Sequence, residues 1–135
     1  MKKFNGFTLI ELIVVTVIVA ILALIALPSY NQYMRESRRI DAKNALVAVQ
    51  LAEEKYRGNN TSYTADLTAT GLNLGTASPQ GYYTISISAA TATNYTATAT
   101  VNSTSSQSSD SVSCPTLSVN QGGFVIDAYA SCWGL

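Results

Sequence analysis

The feature that most constrains this chain is an apolar run from Phe7 to Leu27, which follows a short basic leader ending at Gly6. At about 1.5 Å rise per residue, a helix over this run spans roughly 31 Å, close to the hydrocarbon thickness of a bilayer. The run is longer than the core of a usual secretory signal, and no small-x-small alanine pair closes it. The pattern therefore favours a membrane anchor, or a bundle of like helices, over a cleavable secretory signal.

An acidic residue, Glu11, lies near the start of this apolar run. A carboxylate at membrane depth costs about 2.5–3.5 kcal/mol on insertion scales, so it is normally paired or functional. If the chain were cut after Gly6, Phe7 would gain a free α-amine, and residues four apart on a helix face each other. That amine could pair with Glu11 of its own helix or with Glu11 of a neighbouring chain. The second pairing would set a stagger between subunits.

Residues 6–12 (GFTLIEL) resemble the cleavage and methylation site of type IV pilins. The resemblance implies that a prepilin peptidase removes the leader between Gly6 and Phe7 and then N-methylates Phe7. It also implies an assembly salt bridge between Glu11 and the Phe7 amine of an adjacent subunit. Pro28 stands where that family usually has a proline, and we expect it to kink the helix or weaken it locally.

Beyond Pro28 the sequence pattern predicts an α+β domain. Apolar residues recur at three- and four-residue steps as far as Arg57, which predicts that the helix continues to that point. From Tyr83 onward, alternating residues predict strands. Together with these patterns, the resemblance implies the type IV pilin fold: a long N-terminal α-helix with a hydrophobic first half, packed on a roughly four-stranded antiparallel sheet with a C-terminal disulfide loop. The expected divisions are the leader (1–6, removed), a transmembrane and filament-core helix (7–28), an amphipathic helix half (29–57), an αβ-loop (58–81), and the antiparallel sheet with a disulfide-bounded region (82–135).

Cys114 and Cys132 are the two cysteines, one near each end of a hairpin predicted around residues 121–123. A cysteine pair in a small exported domain argues for a disulfide, whereas in a cytosolic domain both would stay reduced thiols. Closing the intervening segment would contribute about 3 kcal/mol by loop entropy. In the pilins that the chain resembles, a C-terminal disulfide encloses an exposed region with similar spacing.

A basic cluster at residues 35–43 creates a conflict over topology. Its four cations outweigh Lys2 and Lys3, so the positive-inside rule would leave the C-terminal domain in the cytoplasm. The cysteine pair argues for export. We therefore expect a single pass through the bacterial inner membrane with a cytoplasmic N-terminus before assembly, and an extracellular pilus filament afterwards. The cluster itself is interpreted as a solvated helix face with local salt bridges, or as a contact with lipid headgroups or an adjacent subunit.

The placement of charge argues against nucleic-acid binding by the distal domain. Every Lys and Arg lies at or before Arg57, whereas residues 58–135 carry only Asp66, Asp110 and Asp127 as charged residues. A domain without a Lys/Arg patch has little with which to neutralise phosphates. We therefore expect no direct nucleic-acid binding from this domain.

No sequence pattern points to catalysis, a cofactor or a metal. The chain has no histidine, and two cysteines cannot build a zinc site. Neither a phosphate-binding loop nor a nucleophile motif occurs. The expectation is a structural protein rather than an enzyme, with no cofactor.

The C-terminal sequence adds a finer but less specific resemblance. Residues 110–117, 121–123 and 132–133 are similar to the C-terminal pattern of PilE-like minor pilins. The function implied is a minor pilin that polymerises from the inner membrane into a filament for twitching motility, adhesion or DNA uptake. Its expected partners are other pilin subunits, the prepilin peptidase, the inner-membrane assembly machinery and, before assembly, the lipid bilayer. The alternatives are a major pilin, a type II secretion pseudopilin, or an adhesive or ligand-binding tip module with Phe124, Tyr129 and Trp133 as anchors.

Overall fold

The structure is a computed structural model that describes residues 6–125 and 129–134. It divides into two compact units, residues 1–34 and 35–135, and each is described by itself. The first helix, α1 (Leu9–Arg57), contains the boundary between them. Most of the expected leader (1–5) lies outside the described residues, as do Ile126 of the predicted last strand and Asp127.

The first unit consists mainly of the apolar part of α1. Its large side chains from Leu9 to Leu27 are exposed. Within the described residues, α1 is long and apolar enough to cross a membrane. The helix continues through Pro28, which has no N–H to donate to the preceding turn, and the Ser29 hydroxyl donates to the Ile25 carbonyl at 3.3 Å. The kink expected at Pro28 stays a prediction.

The second unit, which we call the head (residues 35–135), contains a four-stranded antiparallel sheet. Its strands are β1 (Tyr83–Ser88), β2 (Thr96–Val101), β3 (Thr116–Asn120) and the short β4 (Gly123–Phe124), hydrogen-bonded in the order β1-β2-β3-β4. Each strand thus pairs with its sequence neighbour, because short connections favour antiparallel pairing. Short 3-10 turns lie at Ser108–Asp110 and Ala130–Trp133.

The core of the head lies between the sheet and the second half of α1. On β1, β2 and β3, residues of one face are largely buried, as the period-two alternation predicts. Against them pack Ala42, Leu46 and Val49 of α1, and the same cluster contains Leu67 and Leu72 of the αβ-loop. The predicted fold class, a long helix on a four-stranded antiparallel sheet with a C-terminal disulfide, is confirmed.

Candidate functional site

The N-terminal motif forms a capping box at the start of α1. The Thr8 backbone N–H and hydroxyl both donate to Glu11 Oε2, at 2.9 and 2.8 Å, and the Glu11 N–H donates to Thr8 Oγ1 at 3.3 Å. These bonds satisfy donors that a helix N-terminus otherwise leaves unpaired. Gly6 and Phe7 precede the helix and are exposed. The sequence contains the signal for this capping box, a threonine three residues before a glutamate in an apolar run, whereas the pattern was interpreted above only as an ion-pair partner at Glu11.

The basic cluster at residues 35–43 is bonded largely to distant parts of the head. Arg39 binds Asp110 in a bidentate pair, with both N–O distances at 2.7 Å, and Asp110 is fully buried. Arg38 donates to the Ser106 carbonyl at 3.0 Å. Lys43 donates to the Trp133 carbonyl. These contacts attach the loop after β2 and the C-terminal turn to the helix.

A buried polar network surrounds this ion pair. Gln107 Nε2 donates to Asp110 at 2.9 Å, to the Tyr83 hydroxyl at 3.1 Å and to the Arg35 carbonyl at 3.0 Å. Burial raises the pKa of Tyr83 to about 12, and the hydrogen bond to Asp110 raises the pKa of Arg39. Arg39 therefore stays charged at every physiological pH, and its ion pair with Asp110 attaches the loop after β2 to α1.

Asp41, within the basic cluster, is directed into the fold and not toward its cationic neighbours. It is buried, and it accepts hydrogen bonds from the Ser78 hydroxyl and, at 3.0 Å, from the Gln80 N–H. The carboxylates of Asp41 and Asp110 thus contribute little negative charge to the surface of the head.

A second basic region lies at the opposite end of the helical segment of the head. Arg57 donates to the Ala92 carbonyl at 3.1 Å in the β1–β2 loop and to the Asn60 carbonyl at 2.8 Å. Lys55, two residues earlier and therefore on a different side of α1, is exposed. Within the described residues, no hydrogen bond or ion pair engages the Lys55 ammonium. This end of the head therefore presents two cations, of which Arg57 contacts the β1–β2 loop.

The solvent face of β1, β2 and β3 carries only uncharged hydroxyl and amide side chains. The strand register aligns them in three rows, Thr84–Thr100–Thr116, Ser86–Thr98–Ser118 and Ser88–Thr96–Asn120. We call these nine residues the hydroxyl face. It contains no carboxylate, and its last row lies at the end of the sheet where the β1–β2 loop meets Arg57.

The C-terminal region is closed by the predicted disulfide between Cys114 and Cys132, with a Cα–Cα distance of 5.8 Å. Trp133 is buried and its ring lies 4.3 Å from that of Phe124, which is half-exposed. Tyr129 is partly buried against the core. Of the three aromatic anchors considered for a tip module, Trp133 is therefore used mainly in packing.

The N-terminal motif, the single apolar helix, the α+β head and the disulfide together define a type IV pilin. Residues 1–27 match the prokaryotic N-terminal methylation motif, and residues 28–118 match the family described as type IV minor pilin ComP, DNA uptake sequence receptor. The chain belongs to this minor pilin family, as the second match covers more than half of it. It is a structural subunit and not an enzyme, and the prediction of a minor pilin is confirmed. The search of curated proteins found no match.

The expectation of no nucleic-acid binding was wrong, because the family is described as a DNA receptor. That expectation considered residues 58–135 alone, whereas the compact unit begins at Arg35 and includes cations of α1. Hydroxyl, amide and backbone groups contact DNA phosphates as well, so an absence of Lys and Arg after Arg57 does not exclude binding.

Proposed function

We propose that this minor pilin binds DNA directly with its head and so serves DNA uptake rather than motility or adhesion. The observation that carries the proposal is the family match over residues 28–118, which includes most of the head. Two features of the surface support it: the hydroxyl face without carboxylates, and the cations Lys55 and Arg57 at the end of α1, where Arg57 contacts the loop at one end of that face.

The chemistry of this surface allows DNA binding with few charged side chains on the protein. Much of the hydrogen bonding in protein–DNA complexes goes to phosphate and sugar oxygens, and Ser, Thr and Asn side chains supply part of it. On the hydroxyl face these donors are arranged on paired strands, which keeps them in fixed register. Lys55 and Arg57 supply the long-range attraction, and the neutral groups supply short-range contacts.

The test is fluorescence anisotropy with the mature full-length chain in detergent and a short labelled duplex. We expect Lys55→Gln and Arg57→Gln each to weaken binding by a few-fold on every sequence, because each removes one cation facing phosphate. Arg35→Gln is the control, since it removes the same charge at the other end of the helical segment. Equal weakening by all three variants, or no binding by the unmodified chain, would contradict the proposal.

We further propose the assembly route that the N-terminal motif implies. The precursor lies in the inner membrane as a single pass with its N-terminus in the cytoplasm, and the mature chain joins an extracellular filament. Prepilin peptidase cleaves at Gly6–Phe7 and methylates Phe7, whose amine then pairs with Glu11 of an adjacent subunit. The exposed apolar surface of α1 supports this route, since it needs lipid or other pilin helices to cover it.

Exposed apolar residues also continue beyond the membrane-length segment. Ile40, Val47 and Leu51 are 53, 41 and 69% exposed, and Asn44 is exposed between them. Their spacing of seven and four residues places them on one side of α1. This stripe supports contact with neighbouring pilin helices along the second half of α1.

A further inference from the structure

A surface pocket lies at the end of α1, and Lys55 is the one lining residue that it shares with the proposed DNA contact. It has a volume of about 230 Å³ and lies between the last turn of the helix and the αβ-loop. Lys55, Tyr56, Asn59 and Asn60 line the helix side, and Leu72 and Asn73 line the loop side.

The loop side of the pocket is held in one conformation by Asp66. Its carboxylate accepts hydrogen bonds from the Thr68 N–H at 2.8 Å and from the hydroxyls of Thr68 and Thr70 at 2.6 and 2.5 Å. These bonds lower the pKa of Asp66, so the carboxylate stays charged and the turn stays closed at neutral pH. A Cβ at Gly71 would lie 2.0 Å from the Asp66 carbonyl oxygen, so only glycine allows this close approach. The loop side of the pocket therefore has its shape before any ligand binds.

The amides on the helix side have a fixed orientation. Asn59 Nδ2 donates to the Lys55 carbonyl at 3.2 Å, and Asn60 Nδ2 donates to the Tyr56 carbonyl at 2.8 Å. Since each amide nitrogen is bonded to the helix end, each amide oxygen remains available as an acceptor.

Asn73 supplies the remaining polar group. Its backbone is in the left-handed region, with φ of 55°, a conformation that asparagine tolerates better than most residues. Within the described residues its side-chain amide has no hydrogen-bond partner, so it offers both a donor and an acceptor. Lys55 adds a cationic donor at the rim.

This combination of amide groups and one ammonium group indicates which chemical class of ligand the pocket binds. The neutral acceptors around a single ammonium disfavour both an anion and a metal cation, and a purely apolar ligand would leave these polar groups without water or partners. A sugar ring has adjacent hydroxyls, each able to donate to an amide oxygen and to accept from Lys55 or Asn73. It also has a C–H face that can pack on the Tyr56 ring, which is only partly buried.

We propose that this pocket binds a single saccharide unit of a glycan, which gives the head a carbohydrate-binding function besides its proposed contact with DNA. The Asn59 and Asn60 oxygens accept from sugar hydroxyls, and the Asn73 amide holds the opposite edge of the ring. With so few contacts, the affinity for a free monosaccharide is weak, in the millimolar range.

The test is NMR titration of the mature full-length chain in detergent micelles with methyl glycosides of common hexoses and N-acetylhexosamines. We expect at least one glycoside to shift the side-chain amide signals of Asn59, Asn60 and Asn73 together. Asn73→Gly keeps the left-handed backbone and removes the amide, so we expect it to weaken this binding about fivefold, as the loss of one net hydrogen bond does.

Two controls keep this result separate from DNA binding. Gln121→Gly removes an exposed amide from the β3–β4 turn and should leave the glycoside affinity unchanged. Asn73→Gly should leave duplex binding unchanged, because Asn73 lies outside the proposed DNA surface. Shifts caused by nucleotides and not by glycosides, no shifts with any glycoside, or equal weakening by both variants would each overturn the proposal.

Discussion

Glu53 is a fully buried glutamate on α1 whose carboxylate is only partly satisfied. Its Oε2 accepts from the Thr64 N–H at 3.1 Å, and its Oε1 has no hydrogen-bond partner within the part of the chain that the structure describes. Burial raises the pKa of Glu53, the hydrogen bond from Thr64 lowers it in part, and the nearby Glu54 charge raises it further. The folded state therefore binds a proton at Glu53 more readily than the unfolded chain does.

The sign of the resulting pH dependence follows from proton linkage. Between the ordinary glutamate pKa and the raised folded value, the folded state holds more protons, so stability falls as pH rises. We expect Glu53→Gln to raise the melting temperature at pH 7 by a few degrees, with a gain that shrinks toward acidic pH. Glu54→Gln, at the exposed neighbouring position, is the control and should show no comparable gain. Thermal unfolding followed by circular dichroism across this pH range measures both; a Glu53→Gln gain that does not change with pH would contradict this account.

At the scale of elements, the helix and the strands could be predicted from local periodicity in the sequence. The helical steps up to Arg57 and the alternation from Tyr83 predicted α1 and the strands, because each pattern reports which face is buried. The disulfide was predictable because an exported domain with two cysteines leaves each of them only one possible partner. The ion pair between Arg39 and Asp110 could not be predicted, because the two residues are 71 positions apart and no local spacing relates them.

The start of α1 offers a test that separates two roles of Glu11. Thr8→Val removes the hydroxyl of the capping box but keeps the carboxylate, whereas Glu11→Gln keeps a side chain that completes a capping box but removes the charge. If Glu11 pairs with the Phe7 amine of an adjacent subunit, Glu11→Gln should strongly reduce entry into filaments, and Thr8→Val should leave it near the unmodified level.

The measurement is the amount of each variant in sheared filaments relative to membranes, by mass spectrometry that also detects cleavage after Gly6 and methylation of Phe7. Variants that remain uncleaved are compared only in membranes, which separates a peptidase defect from an assembly defect. If Thr8→Val fails to assemble while Glu11→Gln assembles normally, capping and not ion pairing is the role of this carboxylate.

At the scale of the whole molecule, the distribution of charge matters more than its total. Formal net charge is zero for the full sequence, yet the cations of the head lie in two regions with different uses. Arg38, Arg39 and Lys43 hold loops of the head against α1. Lys55 and Arg57 lie at the end of α1, where Arg57 contacts the β1–β2 loop.

This division predicts an unusually weak salt dependence for DNA binding by the mature chain. Each neutralised phosphate contributes about −0.9 to the slope of log K against log salt concentration, so two cations give a slope of about −2. Lys55→Gln should make the slope shallower by about 1, and Arg35→Gln should leave it unchanged. Anisotropy titrations of a labelled duplex over a series of salt concentrations give all three slopes. A much steeper slope for the unmodified chain would mean that the cluster at residues 35–43 also contacts DNA, because only those side chains could supply the additional phosphate contacts.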